Sequence, residues 1–144
     1  MNTMTPIRRR LQKICRRYQV ELMYTFGSRC NEIKSYIDDK GIIDRGTSSD
    51  VDIGIKISGD SRLSAKDKVS LAIELEDLLD IDRVDLAILP EVDPFVASNI
   101  IRGERLYCED GYVADEYDLY ILRRAGDLAP LERDRLDNIF RGPV

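Results

Sequence analysis

Residues Ser48–Ile57 read SSDVDIGIKI. Four β-branched residues alternate with polar or small ones at a period of two, a pattern typical of a strand that buries one face. Asp50 and Asp52 lie two residues apart, so a strand would place both carboxylates on the face opposite the apolar side chains. The stretch therefore predicts a strand over residues 51–57 with an acidic start.

A second apolar run, Val20–Phe26, ends directly in Gly27 and Ser28. It is rich in residues that favour strands. A glycine after a strand lets backbone amides approach an anion with no Cβ in the way. Ser28 is a natural N-cap for a helix, and the start of a helix is electropositive. We therefore expect an anion-binding corner at these two residues.

A third aspartate, Asp85, lies in the run Arg83–Leu89, where apolar residues alternate with it. If this run is a strand paired in register with residues 51–57, Asp85 comes beside Asp52 and three carboxylates share one sheet face. Such a cluster repels itself unless cations occupy it. Oxygen ligands in this number suit Mg²⁺, and two ions about 4 Å apart would hold the attacking and leaving oxygens of an in-line displacement.

The remaining elements complete an α/β (α+β) plan, with about four strands in one mixed sheet covered by helices. Periodicity and capping predict helices over residues 5–18, 64–79 and 94–102, a short strand over 104–108, and two C-terminal helices over 113–124 and 130–140 that are broken at Gly126 and Pro130. We expect residues 1–110 to form one domain and residues 111–144 to be its helical extension. The apolar side chains of that extension either pack on the sheet or form an interface.

The composition narrows the chemistry further. The 144 residues suit one compact domain, and the absence of histidine excludes Ser-His-Asp triads and histidine metal sites. The three cysteines lack zinc-ligand spacing. No apolar run approaches the roughly 18 residues of a membrane span, and no secretory signal is recognisable. We expect a cytoplasmic protein whose net charge of −5 argues against nucleic acid as its main partner.

The order of these motifs resembles that of the nucleotidyltransferase superfamily of the DNA polymerase beta type. In particular, it is similar to the small minimal nucleotidyltransferase branch, often encoded beside a helical HEPN partner as a toxin–antitoxin pair. The likeness rests on Phe26–Arg29, Ser49–Ile55 and Val84–Leu86, and residues 94–107 resemble the helix and strand that follow the third aspartate. It covers roughly residues 11–108 and implies a nucleotidyltransferase fold.

The resemblance also implies roles for individual residues. The implied Mg²⁺ ligands are Asp50, Asp52 and Asp85, with Asp85 also a general base, and the residues implied to bind the outer phosphates of a nucleoside triphosphate are Gly27, Ser28 and Arg29. The expected reaction transfers a nucleoside monophosphate, usually AMP from ATP, to an acceptor hydroxyl and releases pyrophosphate. The acceptor is expected on a HEPN-like partner protein, or a homo-oligomer completes the acceptor site.

Two other functions stay open at this point. One is an antitoxin-like subunit that neutralises a helical partner by occlusion with little catalysis. The other is a small-molecule nucleotidyltransferase of the aminoglycoside type, although no second substrate domain is evident. The chain also departs from small family members in the long connection Arg29–Ser49, which spans 21 residues. We expect this insertion to shape acceptor choice, to contact a partner, to close the site or to alter it. Its Lys34 and Lys40 are further candidates for phosphate contact.

Overall fold

The computed structural model describes residues 4–38, 41–44, 50–59 and 61–141, with side chains up to residue 126. Its elements are α1 (Pro6–Arg17), β1 (Val20–Phe26), α2 (Cys30–Ile37), β2 (Val51–Ile57), α3 (Ala65–Leu79), β3 (Val84–Ile88), α4 (Pro94–Ile101), β4 (Glu104–Cys108) and α5 (Gly111–Arg141). A single 3₁₀ turn, Leu89–Glu91, follows β3. The predicted α/β class, with one mixed sheet covered by helices, is confirmed.

The four strands form one sheet in the order β3-β2-β1-β4. β1 is antiparallel to both of its neighbours, whereas β2 and β3 are parallel. The C-terminal end of β1 therefore lies at the same edge of the sheet as the N-terminal ends of β2 and β3. The glycine-serine corner and the aspartates meet at this edge because of that topology.

Helices α1, α2 and α3 cover one face of the sheet. The alternation in β2 sends Val51, Ile53 and Ile55 into this face, where all three are fully buried. They pack in one apolar cluster with Ile33 of α2 and Leu75 of α3. Burial of several such side chains, at about 1.5–3 kcal/mol each, fixes the orientation of β2. The polar residues of β2 are consequently directed to the opposite face.

The opposite face is covered by α4 and the first half of α5. Gly54 of β2 lies directly beneath Ile100 of α4. A Cβ at position 54 would therefore overlap the Ile100 side chain. Ile100 belongs to a second apolar cluster with Tyr24, Ala114 and Ile121. The polar residues at the start of β2 therefore share a face with α4.

A polar network anchors α5 to the sheet. The Tyr24 hydroxyl donates a hydrogen bond to Asp118 of α5, and Arg105 of β4 donates to Asp118 and Asp115 at 2.8 and 3.0 Å. Burial and the Asp118 carboxylate both raise the pKa of Tyr24 above its ordinary value, so the phenol stays protonated as a donor. The network fixes the rotation of α5 about its own axis.

The polar connection after Gly27 contains a helix that the sequence analysis did not predict. Ile33 and Ile37 of α2 are fully buried, and their spacing of four is the signal that would have revealed the helix. Ser28 does not cap it: α2 begins at Cys30, and Arg29 occupies the N-cap position without a capping side-chain bond. The Cys30 amide instead donates to the Gly27 carbonyl, so the serine lies within a tight turn.

The break predicted near Gly126 and Pro130 is wrong, because α5 continues through both residues as one helix of 31 residues. Pro130 cannot donate to the carbonyl four residues earlier, which belongs to Gly126. A glycine at that position has no side chain to hinder a small backbone adjustment. Among the residues that the structure describes, we find no helix of the length and apolarity that a membrane crossing requires.

The close approach of Gly103 to β1 yields a stability prediction. An added Cβ would overlap the Thr25 carbonyl oxygen and lie 3.0 Å from the Phe26 Cα, and these backbone atoms cannot swing aside. Gly103→Ala should lower the free energy of unfolding by about 1–3 kcal/mol, as overpacking does. Gly111→Ala is the matched control, since its Cβ would meet nothing within 4 Å and alanine is favoured over glycine in a helix by up to about 1 kcal/mol.

Urea denaturation followed by circular dichroism measures both variants. Equal stability of Gly103→Ala and the natural chain would contradict the close contact between the start of β4 and the end of β1.

Candidate functional site

Asp52 and Asp85 occupy neighbouring positions on two parallel strands. Their Cα atoms are partners in the register of β2 and β3. Both lie on the α4 side of the sheet, because the flanking Val51 and Val84 are buried on the other side. Asp50 directly precedes β2 and is close enough for its charge to raise the pKa of Asp52. The structure thus brings the three predicted carboxylates to one edge of the sheet.

The corner that follows β1 lies against Asp52. Phe26, the last residue of β1, is the register partner of Asp52. Gly27 then adopts a φ of +83°, a conformation that favours glycine. An added Cβ at Gly27 would lie 2.5 Å from Asp52 Oδ2, so any side chain there would take the space of the carboxylate. Ser28 follows in the turn and is exposed.

The electrostatics of this edge are unfavourable to the ionised carboxylates. Partial burial raises the pKa of Asp52 first, and the neighbouring charges of Asp85 and Asp50 raise it further. Asp50 and Asp85 are more open, with side-chain exposures of 36 % and 48 %. A positive charge at this edge would relieve the repulsion.

Arg83 supplies such a charge, and the sequence analysis missed it. Its Nε lies 3.7 Å from Asp50 Oδ2 and 3.5 Å from Asp85 Oδ1. The signal for this contact was available, because Arg83 precedes Asp85 by two residues and a strand period of two places both side chains on one face. Its side chain is 69 % exposed, so these ion pairs are weak and exchangeable.

The other predicted phosphate contacts have partners elsewhere. The Arg29 guanidinium is buried and donates to Glu32 Oε1 and to the Asp44 carbonyl. Lys34 donates to the Arg105 carbonyl and lies 3.4 Å from Asp38. Lys40 lies outside the described residues. Of the predicted phosphate-binding positions, Gly27 and Ser28 are exposed, and Gly27 lies against Asp52.

The residues at this edge fit a divalent cation, although they are not preassembled around one. Within residues 4–38, 41–44, 50–59 and 61–126, no three Asp, Glu, Cys or His side chains already converge closely enough to hold a metal ion. The available donors are carboxylate oxygens, which Mg²⁺ prefers. Partial burial, followed by the charges of Asp85 and Asp50, raises the pKa of Asp52, and Arg83 already lies beside the other two carboxylates. Both observations are those of a site that attracts positive charge.

Comparison with known proteins identifies the family. The sequence profile described as polymerase beta, nucleotidyltransferase matches residues 9–112, more than two thirds of the chain. The chain belongs to this nucleotidyltransferase family. The matched span of the nucleotidyltransferase contains every predicted site residue from Gly27 to Asp85. No curated protein sequence matches the chain.

Solved toxin–antitoxin structures are among those that match this fold. The toxin–antitoxin MntA–HepT structure matches with a TM-score of 0.65 at 18 % identity, covering 93 % of this chain and 97 % of the other. A toxin–antitoxin structure with AMP-PNP gives 0.66 at 19 %, covering 92 % and 98 %. A Shewanella oneidensis structure of a tri-AMPylated HEPN toxin with its MNT antitoxin gives 0.65 at 18 %, covering 93 % and 96 %. At these identities the likeness shows a shared nucleotidyltransferase fold.

The partial burial of Asp52, together with the charges of Asp85 and Asp50, predicts the effect of Asp52→Asn on stability without metal ions. Because its pKa is raised in the folded protein, the ionised Asp52 carboxylate lowers stability at neutral pH. The variant should therefore be more stable than the natural chain at pH 7, by roughly 0.2–1 kcal/mol, the range for cross-strand pairs. The gain should disappear as the pH falls toward the ordinary aspartate value of 3.8, since the natural carboxyl is then protonated.

Urea denaturation at a series of pH values in EDTA measures this difference. Asp77→Asn, an exposed position on α3, is the control for loss of a surface charge. A variant that is less stable than the natural chain at pH 7 would contradict the repulsion.

Proposed function

We propose that this chain is a Mg²⁺-dependent nucleotidyltransferase that transfers AMP from ATP to a hydroxyl group on a HEPN-type partner protein. The observation that carries the proposal is the register of β2 with β3 and β1, which sets Asp52 between Asp85 and the Gly27 corner. Carboxylates beside a glycine turn supply the two needs of phosphoryl chemistry, cation binding and close backbone approach.

Different residues of the chain have different roles in the proposed reaction. Asp50, Asp52 and Asp85 would hold Mg²⁺, which when bound offsets the negative charge of the phosphates. The Gly27 turn and the exposed Ser28 hydroxyl bind the outer phosphates. Asp85, half exposed, accepts the proton of the attacking hydroxyl. The new bond joins the acceptor oxygen to the α-phosphorus, the bond from that phosphorus to the bridging oxygen breaks, and pyrophosphate leaves.

The choice of nucleotide and acceptor is supported by the structural neighbours. One of them is a complex with AMP-PNP, and another contains a HEPN toxin that carries AMP groups. The present chain matches each of them over at least 92 % of its own length. Its α5 also exposes large apolar side chains of the kind that a protein partner covers: Tyr112, Val113, Leu119, Tyr120 and Leu122.

A second candidate function is neutralisation of the partner by occlusion alone. Two observations favour it: the apolar surface of α5, and the lack of a preassembled metal cluster in the described part of the chain. The two functions differ in one requirement, since occlusion needs no nucleotide.

Labelling of a purified HEPN-type partner from α-³²P-ATP with Mg²⁺ tests the enzymatic proposal. Asp50→Asn with Asp52→Asn removes two of the three anionic ligands, so labelling should fall by at least about 100-fold, the scale of losing a group that stabilises transition-state charge. Asp77→Asn should label the partner as the natural chain does. Size-exclusion chromatography should show that all three forms still bind the partner.

Undiminished labelling by the double variant would contradict the assigned roles. A tight complex in which the natural chain neither labels the partner nor binds AMP-PNP would support occlusion instead.

A further inference from the structure

We propose that Arg29 and Glu32 are positioning residues that clamp the long insertion to the glycine-serine corner and so hold Asp50 in place for cation binding. This inference rests on the proposed function of that site. It assigns Arg29 a role different from the phosphate contact that the family resemblance implies, and it gives Glu32 a role that the sequence analysis did not consider.

The clamp binds both polar backbone groups of one residue. The Arg29 guanidinium donates to the Asp44 carbonyl at 2.6 Å, and the Asp44 amide donates to Glu32 Oε2 at 2.9 Å. The clamp is closed by the Arg29 Nε, which donates to Glu32 Oε1 at 2.6 Å. One ion pair thus holds the peptide groups on both sides of residue 44.

Burial makes these contacts stronger than a surface ion pair. The Arg29 side chain is only 7 % exposed and that of Glu32 is 27 % exposed. The Arg29 hydrogen bond, together with that from the Asp44 amide, holds the pKa of Glu32 below its ordinary value despite partial burial. Truncating one partner would leave the other poorly paired in a partly desolvated place, which is costly.

An apolar anchor adjoins the clamp. Ile43 precedes Asp44 and is 2 % exposed within the cluster that contains Ile53 of β2. Its neighbour Ile42 is 85 % exposed, so the chain is fastened specifically at positions 43 and 44. The insertion is therefore attached to the core at a point only six positions before Asp50.

The attachment has a direct consequence for the site. Without the clamp and the adjoining Ile43, residues 38–49 would connect the end of α2 to Asp50, whereas with them only residues 45–49 separate the aspartate from a fixed point. A shorter free segment has less conformational entropy to lose when its end is fixed. Arg29 also directly follows Ser28, so one residue ties the position of the aspartate strand to that of the corner.

The contacts favour this role over phosphate binding. A guanidinium that binds triphosphate needs an open face, whereas this one is buried and bonded to a carboxylate and a carbonyl. A carboxylate such as Glu32, moreover, would repel a triphosphate. Both side chains should therefore act through Asp44, and variants of either should have the same consequence.

The test compares Arg29→Ala, Glu32→Ala and the double variant by three measurements. Hydrogen exchange of the Asp44 amide measures whether the clamp is intact, and the exchange rate should rise in all three variants. Electron paramagnetic resonance of Mn²⁺ without nucleotide measures cation binding at the aspartates. Each single variant should bind Mn²⁺ about 10-fold more weakly, the size of effect typical when a residue that supports metal ligands is lost. The double variant should bind Mn²⁺ no more weakly than either single variant does, since the two residues act as a unit. Arg29→Lys is the milder substitute if truncation prevents folding.

The third measurement is AMP-PNP affinity at saturating Mg²⁺, with Glu74→Ala as the matched control. Glu74 pairs with Arg17 on the surface between α1 and α3, so its loss should leave Mn²⁺ binding unchanged. Weaker AMP-PNP binding in Arg29→Ala alone, with unchanged Mn²⁺ binding, would restore the phosphate role and overturn the proposal. A fall in thermal stability with unchanged Mn²⁺ binding would also overturn it, because the clamp would then serve only the fold.

The clamp and the proposed function fail in different ways. Unchanged exchange of the Asp44 amide would refute the clamp whatever the chain catalyses. If the natural chain binds no Mn²⁺ while Asp44 exchange still accelerates in the variants, the clamp exists but the proposed function, and the positioning role with it, is refuted.

Discussion

Repulsion among carboxylates at the start of β2 is the constraint on which the rest of the site depends. Asp52 faces Asp85 across two parallel strands, lies near Asp50, and is partly buried against the Gly27 turn. A sheet that places like charges together loses stability unless a cation joins them. The fold tolerates this arrangement because the apolar side chains on the other face of β2 are fully buried and hold the strand in register.

The surrounding structure serves this edge in two ways. Arg83 provides a weak and exchangeable positive charge beside Asp50 and Asp85, so it offsets part of their negative charge. The Arg29–Glu32 pair holds residue 44, which limits the freedom of the chain before Asp50. The first contact is open to solvent, whereas in the second the Arg29 side chain is only 7 % exposed and that of Glu32 is 27 % exposed.

Much of this edge could be predicted from the sequence because period-two alternation is a local property. The residues of β2 and β3 reveal which side chains share a face, and the partnership of Asp52 with Asp85 needs only one assumption about register. Other features depend on contacts between distant residues. The Arg29 guanidinium donates to the Asp44 carbonyl, which lies 15 positions further along the chain. The residues that flank Arg29 in the sequence do not distinguish this contact from phosphate binding. Helix α5 continues through Pro130, although a proline usually ends or kinks a helix. The local sequence therefore predicted a break that the structure does not have.

On the proposed function, the edge formed by Asp52, Asp85 and the Gly27 corner would bind a divalent cation together with a triphosphate. Anomalous diffraction from crystals grown with Mn²⁺ and AMP-PNP tests it most directly. We expect an anomalous peak about 2.1 Å from carboxylate oxygens of both Asp52 and Asp85, the coordination distance typical of Mg²⁺ sites, with the outer phosphates against Gly27 and Ser28. A nucleotide bound elsewhere, or a peak that neither aspartate touches, would contradict it.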